Sequence, residues 1–384
     1  MSHESRGGVT TLPPLSLYIH VPWCVRKCPY CDFNSHAFKG DIPESGYLDA
    51  LMEDLRHDLD LIGGRAIQTV FIGGGTPSLM SPEFYHSLFA KLAEHVSFAP
   101  DAEITLEANP GTVEQQRFDG FRAAGINRLS IGIQSFDPEN LKALGRIHDD
   151  QAAHRAIEAA LRAGFDNFNL DLMHGLPGQT PESAVADLEA AIAWQPPHLS
   201  WYQLTLEPNT EFYSRPPVLP DDERLWAIFE AGAQTLRNAG MTAYEVSAWS
   251  KPGKASRHNL NYWSFGDYLA IGAGGHGKIT RPSGEVIRYW KTRQPAAYLR
   301  RIGSRTSGSE VIEPEEMALE FMMNALRLNE GVDEQLFTER TGLPIGQVAA
   351  ILEGLRKDQL LQPGRLQTTE LGQRYLNSLL ERFL

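Results

Sequence analysis

All three cysteines of the chain stand in one eight-residue window, Cys24-Val25-Arg26-Lys27-Cys28-Pro29-Tyr30-Cys31. Spaced four and three apart, with none left over for a disulfide, they point to soft-metal ligation. A four-iron, four-sulfur cluster held by three thiolates keeps one iron open to a further ligand. Zinc is the rival, because it accepts three sulfurs and one histidine, and His20 and His36 are near in sequence. Zinc sites usually draw cysteines in pairs from two places. Here one loop carries all three, which favours the cluster.

Other chemistry-bearing residues are scattered along the chain. Gly73-Gly74-Gly75-Thr76-Pro77 ends a β-rich run, and its glycines let backbone groups approach a ligand closely. It is not a phosphate loop, since no Gly-Lys-Ser/Thr follows. Glu107, Gln134, Asp171 and Thr205 each fall at the end of a predicted strand. One polar residue at a strand end is ordinary, because such ends are solvated. Four on successive strands of one parallel sheet converge on one mouth. The run His258-Asn259-Leu260-Asn261-Tyr262-Trp263 sets a histidine among aromatics, more often a packed arrangement than a ligand set.

These positions need elements to hold them. Strand-like runs at 17–21, 68–72, 103–107, 128–133, 167–172 and 198–205 alternate with amphipathic helical stretches. Six βα units in a row predict a parallel sheet with helices outside, doubly wound or curled into a partial barrel. In a parallel barrel the loop after the first strand, where the cysteines lie, opens on the C-terminal, ligand-binding face. The expected organisation is a barrel over 1–240, an aromatic extension over 241–302, and a small domain over 310–384. The Gly/Ser-rich run 303–309 is the predicted boundary.

The helix–helix–helix–β order of the last domain looks like a winged helix, which invites a DNA-binding reading. Asp333 to Leu384 holds seven acidic and six basic residues, and the candidate recognition helix 345–352 has no Arg or Lys. Contacts to phosphates and base edges need such residues, so nucleic acid is an unfavoured partner. The net charge of −13 argues the same way. No apolar run reaches a membrane-spanning length of about 18 residues. Met1 to Ser16 lacks the apolar core of a secretory signal, and a cytoplasmic setting is expected. Homodimerisation and peripheral membrane contact stay open.

Tyr18-Ile-His-Val-Pro-Trp-Cys-x3-Cys-x2-Cys31 resembles the signature of the HemN-like radical S-adenosylmethionine (SAM) family. The likeness extends to Gly-Gly-Gly-Thr-Pro, Asn109-Pro-Gly, Ile131-Gly-Ile-Gln-Ser-Phe136, Asp171-Leu-Met-His-Gly-Leu-Pro177 and the C-terminal module. It implies a partial (β/α)6 barrel with a small winged-helix-like domain. It further implies a [4Fe–4S] cluster on Cys24, Cys28 and Cys31 whose open iron chelates SAM, and an electron donor to that cluster. By the same resemblance Tyr18, Tyr30, Gly74, Gly75, Thr76, Glu107, Gln134, Arg146, Asp171 and Thr205 contact SAM. His258-Asn-x-x-Tyr-Trp263 is similar to a signature of the family's haem-chaperone branch, where the histidine is a proposed haem ligand.

Two departures separate the chain from the family's coproporphyrinogen dehydrogenases. Phe33 stands where those enzymes carry a fourth cysteine, and the segment before Tyr18 is shorter. The favoured expectation is a haem chaperone that binds haem and passes it to apo-haemoproteins, with respiratory-chain proteins as candidate acceptors. Whether SAM is cleaved is left open. The alternative is oxidative decarboxylation of coproporphyrinogen III by a 5′-deoxyadenosyl radical.

Overall fold

A computed structural model of the protein describes residues 11–38, 40–111, 115–146 and 150–384. Residues 1–10, part of the stretch read as lacking a secretory signal, lie outside it.

Twelve strands build one open sheet. In chain order they are β1 (Leu15–Val21), β2 (Ile67–Gly74), β3 (Phe98–Ala108), β4 (Arg128–Gln134), β5 (Phe168–His174), β6 (His198–Gln203), β7 (Thr242–Glu245), β8 (Ala248–Ser250), β9 (Asp267–Ile271), β10 (His276–Thr280), β11 (Val286–Lys291) and β12 (Thr306–Val311). The spatial order is β12-β11-β10-β9-β1-β2-β3-β4-β5-β6-β8-β7. From β9 to β6 neighbours run parallel, and antiparallel strands extend both edges. The curved sheet does not close into a barrel.

The connections between parallel strands carry α1 (Glu44–Asp58), α2 (Pro82–Ala93), α3 (Phe118–Ala123), α4 (Pro138–Ala143), α5 (Asp150–Arg162) and α6 (Pro181–Ile192). After β6 come α7 (Glu211–Ser214) and α8 (Asp222–Asn238), then α9 (Arg257–Trp263) and α10 (Pro295–Arg300). Ser81, Asp137, Thr180 and Asp221 cap their helices with side-chain oxygens, which stops each strand-to-helix turn at a defined residue. The strands alternate in a consistent sense. Leu17, Ile19, Val70, Ile72, Leu106, Leu129, Ile131, Leu170 and Leu199 are buried against the helices. The residues between them are largely polar and line the concave face.

The aromatic stretch read as an extension supplies the strand on the far side of β1, with Leu15 opposite Asp267 and Ile19 opposite Ile271. A buried ion cluster fastens it: Lys291 Nζ donates to Asp54 Oδ1 (2.7 Å) and Asp58 Oδ2 (2.5 Å), and Tyr298 OH donates to Asp54 Oδ2 (2.7 Å). The run 303–309, the expected boundary, overlaps the last strand of the sheet. Thr306–Val311 is an edge strand on β11, because backbone pairing outweighs the Gly/Ser composition.

The C-terminal unit contains α11 (Pro314–Ala325), α12 (Glu334–Thr341), α13 (Ala349–Lys357), α14 (Glu370–Arg374) and α15 (Leu376–Leu380). The predicted helix at 345–352 begins as a tight turn and becomes regular only from Ala349. Phe321, Phe337, Leu352, Leu355 and Leu366 form its core, which is continuous with Phe265, just before β9, and Val286 of β11. Among the described residues no helix is long and apolar enough to cross a membrane.

Candidate cluster and cofactor site

The cysteine loop leaves β1 through Pro22 and is held at both ends. Trp23-Cys24 pairs in parallel with His36-Ala37. Trp23 packs edge-on against Tyr47 at 4.7 Å between ring centres, and the Tyr47 hydroxyl donates to His20 O (2.5 Å). Asn34 Nδ2 donates to the carbonyls of Ala273 and Arg293, each at 2.9 Å, so β9 and β11 brace the loop. Within it, Cys31 N–H donates to Cys28 O (3.1 Å) and Lys27 Nζ to Phe33 O (3.0 Å).

All three thiols are free; Cys24 is buried, and Cys28 and Cys31 are partly exposed. Burial first, then the neighbouring charge of Cys31, pushes the Cys24 thiol up. Arg146 Nη1 donates to Cys28 Sγ (3.6 Å), and Ser35 Oγ lies 3.5 Å from Cys31 Sγ.

The histidines of the zinc alternative are committed elsewhere. His20 Nε2 faces Asn34 O (2.9 Å), which can only accept, so Nδ1 accepts from Tyr18 OH (3.0 Å). Burial holds His20 down to about 4, as a neutral ring. His36 turns Nε2 to Asn34 Oδ1 (3.3 Å). Among the described residues no three His, Cys, Asp or Glu side chains are gathered closely enough for one ion. Three thiols on a single loop suit a cluster with one open iron.

The end of β2 lies beside this loop. Gly75 N–H donates to Val21 O and Thr76 N–H to Trp23 O, both at 2.7 Å. A Cβ on Gly75 would stand 2.4 Å from Trp23 O, and Gly74, at φ +116°, faces the His20 ring at 2.6 Å. Only glycine tolerates these approaches. Thr76 Oγ1 then accepts from Asn109 Nδ2 (2.9 Å), and Asn109 Oδ1 accepts from Arg146 Nη2 (2.9 Å). A continuous run of hydrogen bonds, Thr76–Asn109–Arg146–Cys28, therefore ties strand ends to the cysteine loop. Asn109 is a site residue that the strand-end argument overlooks, although it is the first polar residue past β3.

Glu107 and Asp171 face the same mouth. Glu107 Oε2 accepts from Gly74 N–H (3.2 Å), and burial followed by the charge of Asp171 pushes its carboxyl up to about 8. Asp171 accepts from Ser130 Oγ and Asn169 Nδ2, each at 2.8 Å, and burial raises it too. Gln134, at φ +70°, accepts at Oε1 from Tyr202 OH (2.6 Å). Tyr202 is a second residue missed from sequence. Its signal is the alternation of β6, which sends Tyr202 to the concave face. Tyr30 packs on Phe212 at 6.4 Å, and burial raises its phenol.

Two sequence-selected residues lie outside the parallel strands. Thr205 lies exposed beyond β6, which ends at Gln203, where Leu204 N–H turns to His174 O (2.9 Å). His258 is at the opposite end of the sheet. Its Nδ1 meets Thr69 Oγ1 (2.9 Å) near the start of β2, and its ring packs on Phe71 at 5.0 Å. Burial, then the charge of Arg128, holds it down to about 3. At about 3.3 Å per residue, the five residues from Thr69 to Gly74 separate it from the glycine turn by roughly 16 Å.

The radical SAM superfamily pattern covers residues 18–191, and the HemN C-terminal domain pattern covers 312–375. The haem chaperone HemW of Escherichia coli strain K12 is 52% identical over 97% of this chain and 99% of its own length. That of Haemophilus influenzae is 52% identical over 97% and 98%. The chain belongs to the HemW family. The HemW likeness includes both ends of the sheet, the cysteine loop and the α9 segment alike. The structure of coproporphyrinogen III oxidase HemN from Escherichia coli, described as a radical SAM enzyme, superposes with a TM-score of 0.81. It covers 97% of this chain and 90% of HemN at 24% identity, a likeness of fold. Phe33 in this HemW family member is 63% exposed and carries no thiol.

Proposed function

We propose that the protein is a haem chaperone that binds haem and a SAM-ligated [4Fe–4S] cluster and transfers haem to apo-haemoproteins. The observation that carries this reading is 52% identity, over nearly the whole chain, to proteins named as haem chaperones. Cys24, Cys28 and Cys31 hold the cluster, which supplies electrons to SAM bound at its open iron. Arg146 balances the Cys28 thiolate through its 3.6 Å contact. Gly74, Gly75 and Thr76 offer backbone groups to the methionine end. Tyr18, Tyr30, Glu107, Gln134, Asp171 and Thr205 complete the SAM pocket, where the two carboxyls match a cationic cofactor. His258 contacts haem. Acceptors are apo-haemoproteins, those of respiratory chains among them, and an electron donor serves the cluster. The cytoplasm suits three thiols kept free of disulfides. Homodimerisation and peripheral membrane contact complete the reading, and nucleic acid is not a partner.

The test is anaerobic. The reconstituted protein is titrated with haem, then mixed with an apo-haemoprotein, and assayed in parallel with SAM and coproporphyrinogen III. Stoichiometric haem binding and transfer without porphyrinogen turnover are expected. Turnover without haem binding overturns the proposal in favour of the oxidase. Zinc without iron–sulfur absorbance removes the cluster from either reading. His258→Ala alters the haem spectrum and leaves the cluster intact. An unchanged spectrum removes His258 from the haem site.

A further inference from the structure

Behind the SAM mouth the concave face continues to the start of the strands, where α9 closes it. Arg128 is the first residue of β4 and is 2% exposed. It stands opposite Thr105 in the sheet, two pairs below Ser130 and Glu107. Ser130 donates to Asp171 and receives a bond from Asn169 (2.7 Å), which fixes this side of β3, β4 and β5 as the concave face. Arg128 and Thr105 share that face.

The Arg128 guanidinium makes no hydrogen bond or ion pair among the described residues, and its buried Nε–H has no partner. Two carboxylates are near in the fold, and neither pairs with it. Asp171 spends its oxygens on Ser130 and Asn169, and Glu103 Oε1 accepts the His258 backbone N–H (3.2 Å). The Asp171 charge reaches Arg128, but a buried guanidinium N–H without an acceptor is costly, so an added acceptor here would stabilise it. Thr105 Oγ1, fully buried, is also unpartnered.

His258 supplies a third unspent group. Asn261 Nδ2 donates to Ser16 Oγ (2.8 Å), Ser16 Oγ meets Thr69 Oγ1 (2.7 Å), and Thr69 Oγ1 meets His258 Nδ1 (2.9 Å). Each hydroxyl both donates and accepts only if the run points toward His258. Nδ1 is then an acceptor, and Nε2 carries the proton. Nε2 has no partner among the described residues, and Arg128 is near enough for its charge to act on the ring. Three donors with nothing to donate to, Arg128 Nε–H, Thr105 O–H and His258 Nε2–H, therefore lie at the same end of the concave face. Such a set asks for an anion that only accepts.

We propose that Arg128, Thr105 and His258 form a carboxylate site for a propionate side chain of the bound tetrapyrrole. This rests on the haem-chaperone reading and gives His258 the role of hydrogen-bond donor to haem. The test titrates the cluster-loaded protein with haem and with haem dimethyl ester, whose propionates are blocked. Wild type is expected to prefer haem by about 10-fold or more, as charge-assisted hydrogen bonds imply. Arg128→Met erases that preference, and Arg128→Lys restores part of it. Should Arg128→Met fail to fold, Thr105→Val narrows the preference several-fold with the cluster absorbance unchanged.

Equal binding of haem and ester by wild type overturns the site and leaves haem binding standing. No binding of either ligand fells the haem reading along with it. Sodium propionate provides the last arm. If it stabilises wild type but not Arg128→Met while haem shows no preference over the ester, the ligand is a free small carboxylate and the tetrapyrrole assignment is overturned.

Discussion

The two ends of the concave face are built from the same kinds of side chain and are finished in opposite ways. At the C-terminal end, glycines bring backbone against backbone, Gln134 holds a left-handed conformation, and two carboxyls crowd together. At the other end, His258, Thr69, Ser16 and Asn261 satisfy one another, and His198 lies between Asn169 Oδ1 (2.7 Å) and Tyr244 OH (2.8 Å). Strain and unmet polar groups gather where a charged cofactor can relieve them. A satisfied hydrogen-bond network instead fixes the orientation of each ring. The open end is built for chemistry and the closed end for position, with Arg128, Thr105 and the outer nitrogen of His258 as its exceptions.

The largest expected effect falls on the open end. Cys28→Ala removes one of three thiolates and the partner of Arg146, so the cluster should be lost, read as iron and sulfide content after reconstitution. A full cluster in that variant would break the three-thiolate assignment. Circular dichroism should show the closed end, which shares no residue with the loop, still folded.

Next comes Gly75→Ala. The added carbon would lie 2.4 Å from Trp23 O, a backbone atom that cannot swing aside. A loss of about 3 kcal/mol is expected from such overpacking, read by denaturant unfolding. Alanine at Gly346, where a Cβ meets nothing within 4 Å, should cost far less. Equal losses at both positions would erase the claim that the glycine turn is specially tight.

Glu107 separates the ends by pH. With its carboxyl raised to about 8, the unliganded protein keeps a proton that the unfolded chain releases near its ordinary value. Stability of the unliganded protein therefore falls as pH rises from the ordinary carboxylate range to about 8. Binding of cationic SAM favours the ionised form, so affinity should climb with pH and level off above about 8. Glu107→Gln should flatten both profiles. A SAM affinity that stays level across this range in wild type would remove Glu107 from the pocket.

The open end was the more legible in sequence. Cysteines, glycines and strand-end polar residues announce themselves by type and spacing, and strand alternation carries the rest. Thr205 falls two residues past the strand because the strand's end is set by the backbone bond from Leu204 to His174, which composition does not reveal. Asn109 and Tyr202 were overlooked because their partners, Thr76 and Gln134, lie far away in the chain. The strand inside the Gly/Ser-rich run 303–309 was not legible because an edge strand borrows its stability from β11. At the closed end the alternating polar residues were visible. What they bond to depends on α9 packing across the sheet, and no local pattern encodes that.

The smallest expected effect probes that packing. Thr69 is 1% exposed and relays the hydrogen-bond run from Ser16 to His258. Thr69→Val keeps the shape and removes both bonds, at a cost of about 1–3 kcal/mol for the groups left unpaired. Freed at Nδ1, the imidazole should exchange its tautomer, visible as a change in the His258 ring nitrogen shifts by NMR. Glu107 and the glycine turn, roughly 16 Å away along β2, should keep their SAM affinity. A tautomer change without loss of SAM binding would sharpen the division into a working end and a positioning end. A parallel loss of SAM affinity would show one polar network spanning the whole face, and the two ends would no longer be separate.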